Sequence, residues 1–319
     1  MTESPRPAPS SPVVRNLTVF RTRLRRVRVP KGATPAYPRG RLVLGGAAVA
    51  GALIVLFLLT VDLHSVAWWN ELSRFERNFF GVATRFGKSD WLLIPTGVVG
   101  LALLFADWGR TNRRLAAAWV EIGELVGFFF FSVAVAGIIT NLIKWTIGRS
   151  RPILFSEDGV FAFSPISFDY AHVSFPSGHA TTASAAFVAL ALIFRGRAIL
   201  IVLVAVFAAI VATSRVGVRA HYPSDVVAGV FVGSAFTYLY AYALGRNGVA
   251  FQRQPDGSLI PKTVAIRGIL GRSGGGRTML RGLRSAYLGK PGGPEETPAV
   301  EKPREAFDRS RVADDARDP

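Results

Sequence analysis

The chain runs to 319 residues, 18% of them charged, against a usual share of about 25%, and its mean hydropathy is positive. That composition argues against an ordinary pair of soluble domains, although 38 Lys and Arg against 21 Asp and Glu leave a net charge of +17. The excess invites a nucleic-acid reading until the charges are placed. The absence of cysteine excludes disulfides, thiolate metal sites and cysteine nucleophiles.

Residues 1–41 form an arm rich in Pro and Arg, without the apolar content for a core of its own. Beyond it, six apolar stretches approach the roughly 20 residues needed to cross a bilayer: 42–61, 91–106, 120–143, 179–194, 198–213 and 225–244. The second, fourth and fifth are short and rely on flanking turns or on packing inside the bundle. Glycine recurs in them, as close packing in lipid favours, whereas soluble helices would show amphipathic stripes. The expected fold is therefore all-α: a polytopic membrane protein with a six-helix transmembrane bundle over residues 42–245. Residues 246–319 are expected to form a flexible basic tail. The glycine cluster between Gly271 and Arg277 lacks the lysine and strand context of a phosphate loop.

Lys and Arg near the span ends set the orientation. The arm carries ten, the segments after the second and fourth spans three and two, and the tail fourteen, against nine on the opposite side. Both termini are thus expected in the cytoplasm, where arm and tail would meet anionic lipid rather than nucleic acid. On the outer side, residues 66–86 carry Trp68, Leu72, Phe75, Phe79, Val82 and Phe86 at intervals of three and four. That spacing makes one face of an amphipathic helix, lying in the headgroup region or packing on the bundle.

Three polar clusters interrupt the outer ends of the later spans, and this topology puts all three on one face of the membrane. The first runs from Lys144 to Pro152, past the third span. The second is Pro176-Ser177-Gly178-His179, opening the fourth. The third joins Ser214 and Arg215 to His221 and Asp225, between the fifth span and the sixth. Lys144, Arg151 and Arg215 have no matching set of carboxylates beside them and suit a dianionic phosphate, which arginine grips bidentately and lysine meets as a point charge. Ser177 and Gly178 at a helix start would add a hydroxyl and backbone N–H groups where the dipole favours an anion. His221 with Asp225 has the form of an imidazole whose tautomer a carboxylate fixes, freeing the other ring nitrogen to attack. Pro223 disfavours helix through Tyr222, so Asp225 is expected in the first turn of the sixth span, reaching back toward His221. His179 is the candidate to protonate a departing oxygen.

Together, K-x6-RP, PSGH and SR-x5-H-x3-D resemble the motifs of the type 2 phosphatidic acid phosphatase superfamily, over about residues 42–244 and with every motif position matched. The resemblance implies a phosphohistidine on His221, oriented by Asp225, with His179 as proton donor. It further implies a phosphoryl group held by Lys144, Arg151, Ser177, Gly178 and Arg215, and no metal or other cofactor. The activity it implies is that of a lipid phosphatase at the outer face of a bacterial inner membrane. Undecaprenyl diphosphate, lipid A phosphate, phosphatidylglycerol phosphate and phosphatidate are the candidate substrates. Phosphotransfer to a second lipid and vanadium-dependent haloperoxidation are alternatives built on the same site, the latter disfavoured by the apolar spans. Anion transport would need polar residues along a path through the spans, and few are present.

Outside the motifs, His64 and His172 are read as outer-loop histidines and Trp145 as an interfacial anchor. Arg149 lies beside the site but outside the pattern, as a headgroup contact. Glu121 and Glu124 complement a helix N-terminus, and Glu157, Asp158 and Asp169 are expected to face water.

Overall fold

The computed structural model describes residues 11–18, 40–254, 256–271 and 277–281; expectations for the rest of the arm and tail lie outside the described residues. Its principal helices are α1 (Gly40–Glu71), α2 (Arg74–Ala83), α3 (Asp90–Phe105), α4 (Arg113–Ile147), α5 (Gly178–Ile193), α6 (Ala198–Gly217) and α7 (Pro223–Arg246). Among the described residues, five segments are long and apolar enough to cross a membrane: Val43–Glu71, Arg74–Phe105, Arg113–Ile147, Ala198–Gly217 and Pro223–Arg246. Helix α5 is apolar but has only 16 residues. At 1.5 Å per residue it extends about 24 Å, short of a hydrocarbon core of about 30 Å. The sequence expectation of six spans is therefore met by length in five.

Helix α5 is nonetheless the centre of the bundle, packed against α4, α6 and α7. Its buried face is built from small side chains: Ala180, Thr181, Thr182, Ser184, Ala185, Ala186 and Ala189. Gly229 and Gly233 of α7 lie directly against that face, so the two backbones approach closely, as small residues permit in lipid. Phe128, Phe129 and Val133 of α4 complete the core with Ala241 and Tyr242 of α7.

The aromatic stripe expected over residues 66–86 is not one helix. Helix α1 continues past Val61 to Glu71, and α2 starts afresh at Arg74. Ser73 Oγ accepts from Glu76 N at 3.2 Å while the Glu76 carboxylate accepts from Ser73 N at 2.8 Å, a reciprocal cap that restarts the helix. The break divides the stripe, with Leu72 buried while Phe75, Phe79, Val82 and Phe86 stay exposed.

The tail also departs from expectation. Strand β1 (Phe251–Arg253) pairs antiparallel with β2 (Leu259–Pro261), and α8 (Val264–Leu270) follows. Phe251 is fully buried, edge-on to Phe128 at 4.8 Å between ring centroids. Glu124 accepts from Ala250 N at 3.1 Å, and Glu121 accepts from Ala265 N and Ile266 N at 3.0 and 3.1 Å. The flexible tail expected from residue 246 is thus corrected as far as residue 271. Glu121 and Glu124 are buried anchors for it, not charges that merely complement a helix start. These hydrogen bonds run to main-chain N–H groups, which leave no mark in a sequence, and Glu124 also pairs with Lys262 at 3.7 Å. A short helix over residues 12–18 docks at the same end: Asn16 donates to Leu104 O and Ala106 O at 2.7 and 2.8 Å, and Arg15 pairs with Asp107. About 30 Å of α4 separates Glu124 from Lys144, so these terminal segments gather at one end of the bundle and the polar motifs at the other.

Candidate active site

Helix α4 ends at Ile147, where Gly148 takes a left-handed φ of 64°, a conformation that glycine adopts without steric cost. A Cβ there would overlap the Ser164 carbonyl oxygen. This turn carries residues 149–151 back across the bundle end. In the last turn of α4, Lys144 donates from Nζ to Val173 O at 3.0 Å. Arg151 reaches the same carbonyl from Nη2 at 3.4 Å, and also bonds Tyr170 O at 2.7 Å and Ala220 O at 3.0 Å. Arg215, in the last turn of α6, bonds the Thr84 hydroxyl, and its buried Nε has no hydrogen-bond partner among the described residues. All three cations are buried, and among the described residues none is paired with a carboxylate. Burial pushes the Arg151 guanidinium below its ordinary value, with Tyr170 and Asp225 opposing.

Ser177 caps α5, its hydroxyl accepting from Ala180 N at 3.5 Å while its own N–H donates to Asp225 O at 2.9 Å. The starts of α5 and α7 are thereby tied together. A Cβ on Gly178 would lie 3.8 Å from Lys144 Cε, so the first turn of α5 sits beside the lysine stem. His179 follows, half-buried, with its ring against Gly87.

Tyr222 is extended, at φ −75° and ψ 157°, and α7 begins at Pro223. Asp225 therefore sits in its first turn, fully buried. Its Oδ2 accepts from Tyr222 N at 2.9 Å and from Ser174 Oγ at 2.5 Å, and lies 3.6 Å from His221 Nδ1. Ser174 Oγ is itself 3.4 Å from Nδ1. With its proton committed to Asp225, the serine oxygen is free to accept from Nδ1–H, so a hydroxyl bridges imidazole and carboxylate. Burial is the main cause holding His221 well below the ordinary histidine range; the Asp225 contact opposes it, while Lys144 and Arg151 reinforce it. That shift favours the neutral imidazole, and in the tautomer with Nδ1–H, which Ser174 and Asp225 favour, Nε2 carries the lone pair.

Arg149 is not the headgroup contact expected from sequence. It is 1% exposed, because both ends of its guanidinium fork are engaged inside the protein, while its buried Nε has no partner among the described residues. Nη1 donates to Asp225 Oδ1 at 2.6 Å and Ser224 Oγ at 2.8 Å, and Nη2 to Asp62 Oδ2 at 2.8 Å and Val160 O at 3.1 Å. It also stacks over the Tyr222 ring at 4.4 Å. Asp62 of α1, itself buried, accepts from Ser224 N at 2.9 Å and Ser224 Oγ at 2.5 Å. Neither Asp62 nor Ser174 belongs to a sequence spacing. The one available signal was a carboxylate in an apolar helix, where an unpaired charge is costly.

The remaining polar residues fall outside the cluster. His172 bonds Asp169 at 2.9 Å, and His64 meets Thr60 O at 2.5 Å; neither bonds a motif residue. Asp158, expected to face water, accepts from Ser150 Oγ at 2.7 Å. Trp145 stays exposed on the surface of α4. Among the described residues, no group of three or more His, Asp or Glu has the arrangement of a metal site.

What this end of the bundle can do is fix a phosphoryl group among buried cations and offer it a neutral imidazole, the chemistry of a membrane-embedded phosphatase. Residues 125–248 match the family model described as the PAP2 superfamily. A lipid A 1-phosphatase from Rhizobium johnstonii is 39% identical over 180 residues, which are 54% of this chain and 70% of that protein. An undecaprenyl-diphosphatase from Sulfolobus acidocaldarius is 27% identical over 197 residues, 62% of this chain and 81% of its own. The crystal structure of a transmembrane PAP2-type phosphatidylglycerolphosphate phosphatase from Bacillus subtilis covers 72% of this chain and 93% of its own, at 18% identity and a TM-score of 0.37. The chain belongs to the PAP2 superfamily, and with it to the phosphoric ester hydrolases.

Proposed function

We propose that the protein hydrolyses the phosphate of a membrane lipid at the outer face of an inner membrane, through a phosphohistidine on His221. The observation that carries this reading is the Val173–Ser174 segment. There one carbonyl holds both Lys144 and Arg151 while the adjoining hydroxyl meets His221. His221 Nε2 attacks phosphorus as the bond to the lipid oxygen breaks, and His179 gives its proton to that oxygen. His179 then takes a proton from water, whose oxygen displaces the histidine nitrogen and leaves as part of free phosphate. Lys144, Arg151, Arg215, the Ser177 hydroxyl and the Gly178 N–H hold the phosphoryl oxygens, each such donor typically worth about 3 kcal/mol in the transition state. The unpartnered Nε of Arg215 supports an anion there. The same residues serve phosphotransfer if a lipid hydroxyl replaces water.

In this reading α1, α3, α4, α5, α6 and α7 are the six spans, with α3 and α5, at 16 residues each, completed by their neighbours. Both termini lie in the cytoplasm, where the basic arm and tail meet anionic lipid. Exposed Phe75, Phe79 and Val82 favour α2 lying in the headgroup region. An apolar cavity of about 290 Å³ lies below the site, lined by Phe86, Trp91, Thr182, Phe187 and Phe207 among others. Thr182 and Phe187 follow His179 on α5, so the cavity suits an acyl chain whose phosphate is at the histidines. The 39% likeness to a lipid A 1-phosphatase favours a lipid A-type glycolipid phosphate as substrate. Undecaprenyl diphosphate is the second reading, favoured by the archaeal relative.

The test uses purified protein in proteoliposomes, offered lipid A, undecaprenyl diphosphate, phosphatidylglycerol phosphate and phosphatidate in competition, with chelator present. Phosphate release from lipid A ahead of the others, lost in His221→Ala, is the expected result. Persistent turnover in His221→Ala would overturn the mechanism, and preference for another lipid would overturn the substrate.

A further inference from the structure

We infer that Arg149, backed by Asp62 on a helix outside the segment matching the family, positions the Asp225 carboxylate and through it His221. The inference rests on the phosphohistidine reading above. Asp62 belongs to α1, whereas the family match covers residues 125–248.

The two oxygens of Asp225 have separate tasks. Oδ2 faces Tyr222 N, Ser174 Oγ and His221 Nδ1, while Oδ1 is taken by Arg149 Nη1 at 2.6 Å. The arginine fork spans two carboxylates, with Nη2 on Asp62 at 2.8 Å. Asp62 in turn accepts twice from Ser224, the residue before Asp225, and so clamps the first turn of α7. The main chain of Arg149 also takes part, its carbonyl accepting from Ser174 N at 2.9 Å. One residue therefore sets both groups that meet Nδ1.

Charge balance explains why a second carboxylate is needed. Without Asp62, a buried guanidinium would have Asp225 as its only carboxylate among these groups. A bidentate grip is what arginine favours, and it would draw Oδ2 away from Ser174 and His221. With Asp62 on Nη2, only Oδ1 is engaged. A plain anchor between α1 and α7 would not call for three buried charges, because buried ion pairs often contribute little net stability over apolar packing. Neither Asp62 nor the Arg149 side chain bonds Lys144, Arg151 or Arg215. Loss of the pair should therefore slow chemistry and leave phosphate binding near its original strength.

Asp62→Asn keeps the shape and removes the charge, and Arg149→Lys keeps the charge but cannot span two carboxylates. Both are assayed on lipid A in proteoliposomes beside His221→Ala. The expected kcat falls about 10²-fold, the loss typical of a displacement on the order of 1 Å. KM and competitive inhibition by inorganic phosphate stay near wild type, and phosphoenzyme formation in rapid quench slows with kcat. Asp62→Glu restores part of the rate. If Asp62→Asn does not fold, Arg149→Lys and Ser224→Ala carry the same comparison of kcat against KM. Wild-type kcat per folded molecule, with only a lower unfolding temperature, would overturn the positioning role and leave an anchor. Turnover by His221→Ala would instead remove the nucleophile assignment, so the two failures are distinct.

Discussion

Gly87 is the last residue of the turn before α3, and a single added methyl there should slow the enzyme by acting on His179. A Cβ on Gly87 would lie 2.6 Å from His179 Cγ and 2.7 Å from its Cβ, where real contacts essentially never fall below 3.0 Å. Ordinary contact begins near 3.4 Å and Cδ2 lies nearer than Cγ, so the ring must retreat by roughly 1 Å. A shift of this order can cost about 10²-fold in rate, or roughly 2.7 kcal/mol of transition-state stabilisation. If the backbone gives instead, the cost appears as about 1–3 kcal/mol of stability. The assay compares Gly87→Ala with wild type on lipid A and on an aryl phosphate, whose phenolate leaves without a proton. The loss should be about 10²-fold on lipid A and largely absent on the aryl ester. Equal losses on both substrates would refute His179 as the proton donor, and unimpaired turnover of lipid A would refute the geometry.

Two further outcomes follow from the same structure. The depressed pKa of His221 keeps the nucleophile neutral as pH falls through its ordinary value of 6.5. The acid limb of kcat/KM, which reports the free enzyme, should therefore lie below 6.5 once the substrate's own ionisation near ~6 is allowed for; a limb at or above 6.5 would contradict the buried, cation-flanked imidazole. At the opposite end of the bundle, Glu124→Ala leaves Ala250 N without its acceptor. The unfolding transition in detergent should fall by about 1–3 kcal/mol, with turnover per folded molecule unchanged.

The helices and motif positions were legible because each rests on a repeated local signal. Apolar runs located α3, α5, α6 and α7 within a few residues, while α4 begins at Arg113, ahead of the run from residue 120, and Pro223 placed Asp225 in the first turn of its helix. The parts that were not legible depend on contacts between distant residues. Asp62 follows the first apolar stretch and reads as its polar end, until α1 is seen to continue to Glu71 and present it to Arg149. Ser174 precedes the PSGH motif by a spacing that carries no pattern, and only the fold brings it between His221 and Asp225. The tail looked structureless because its anchors, Glu121 and Glu124, bind main-chain N–H groups. The net positive charge is concentrated in the arm and tail, away from Lys144, Arg151 and Arg215.

The central claim is that phosphate passes through His221. Turnover of lipid A labelled with ³²P at its phosphate, stopped by rapid alkaline quench and followed by peptide mapping, tests it directly. Label on His221 at a level that rises before free phosphate, and absent from His221→Ala, is the predicted result. Steady release of phosphate with no protein-bound label, or label on another residue, would contradict it.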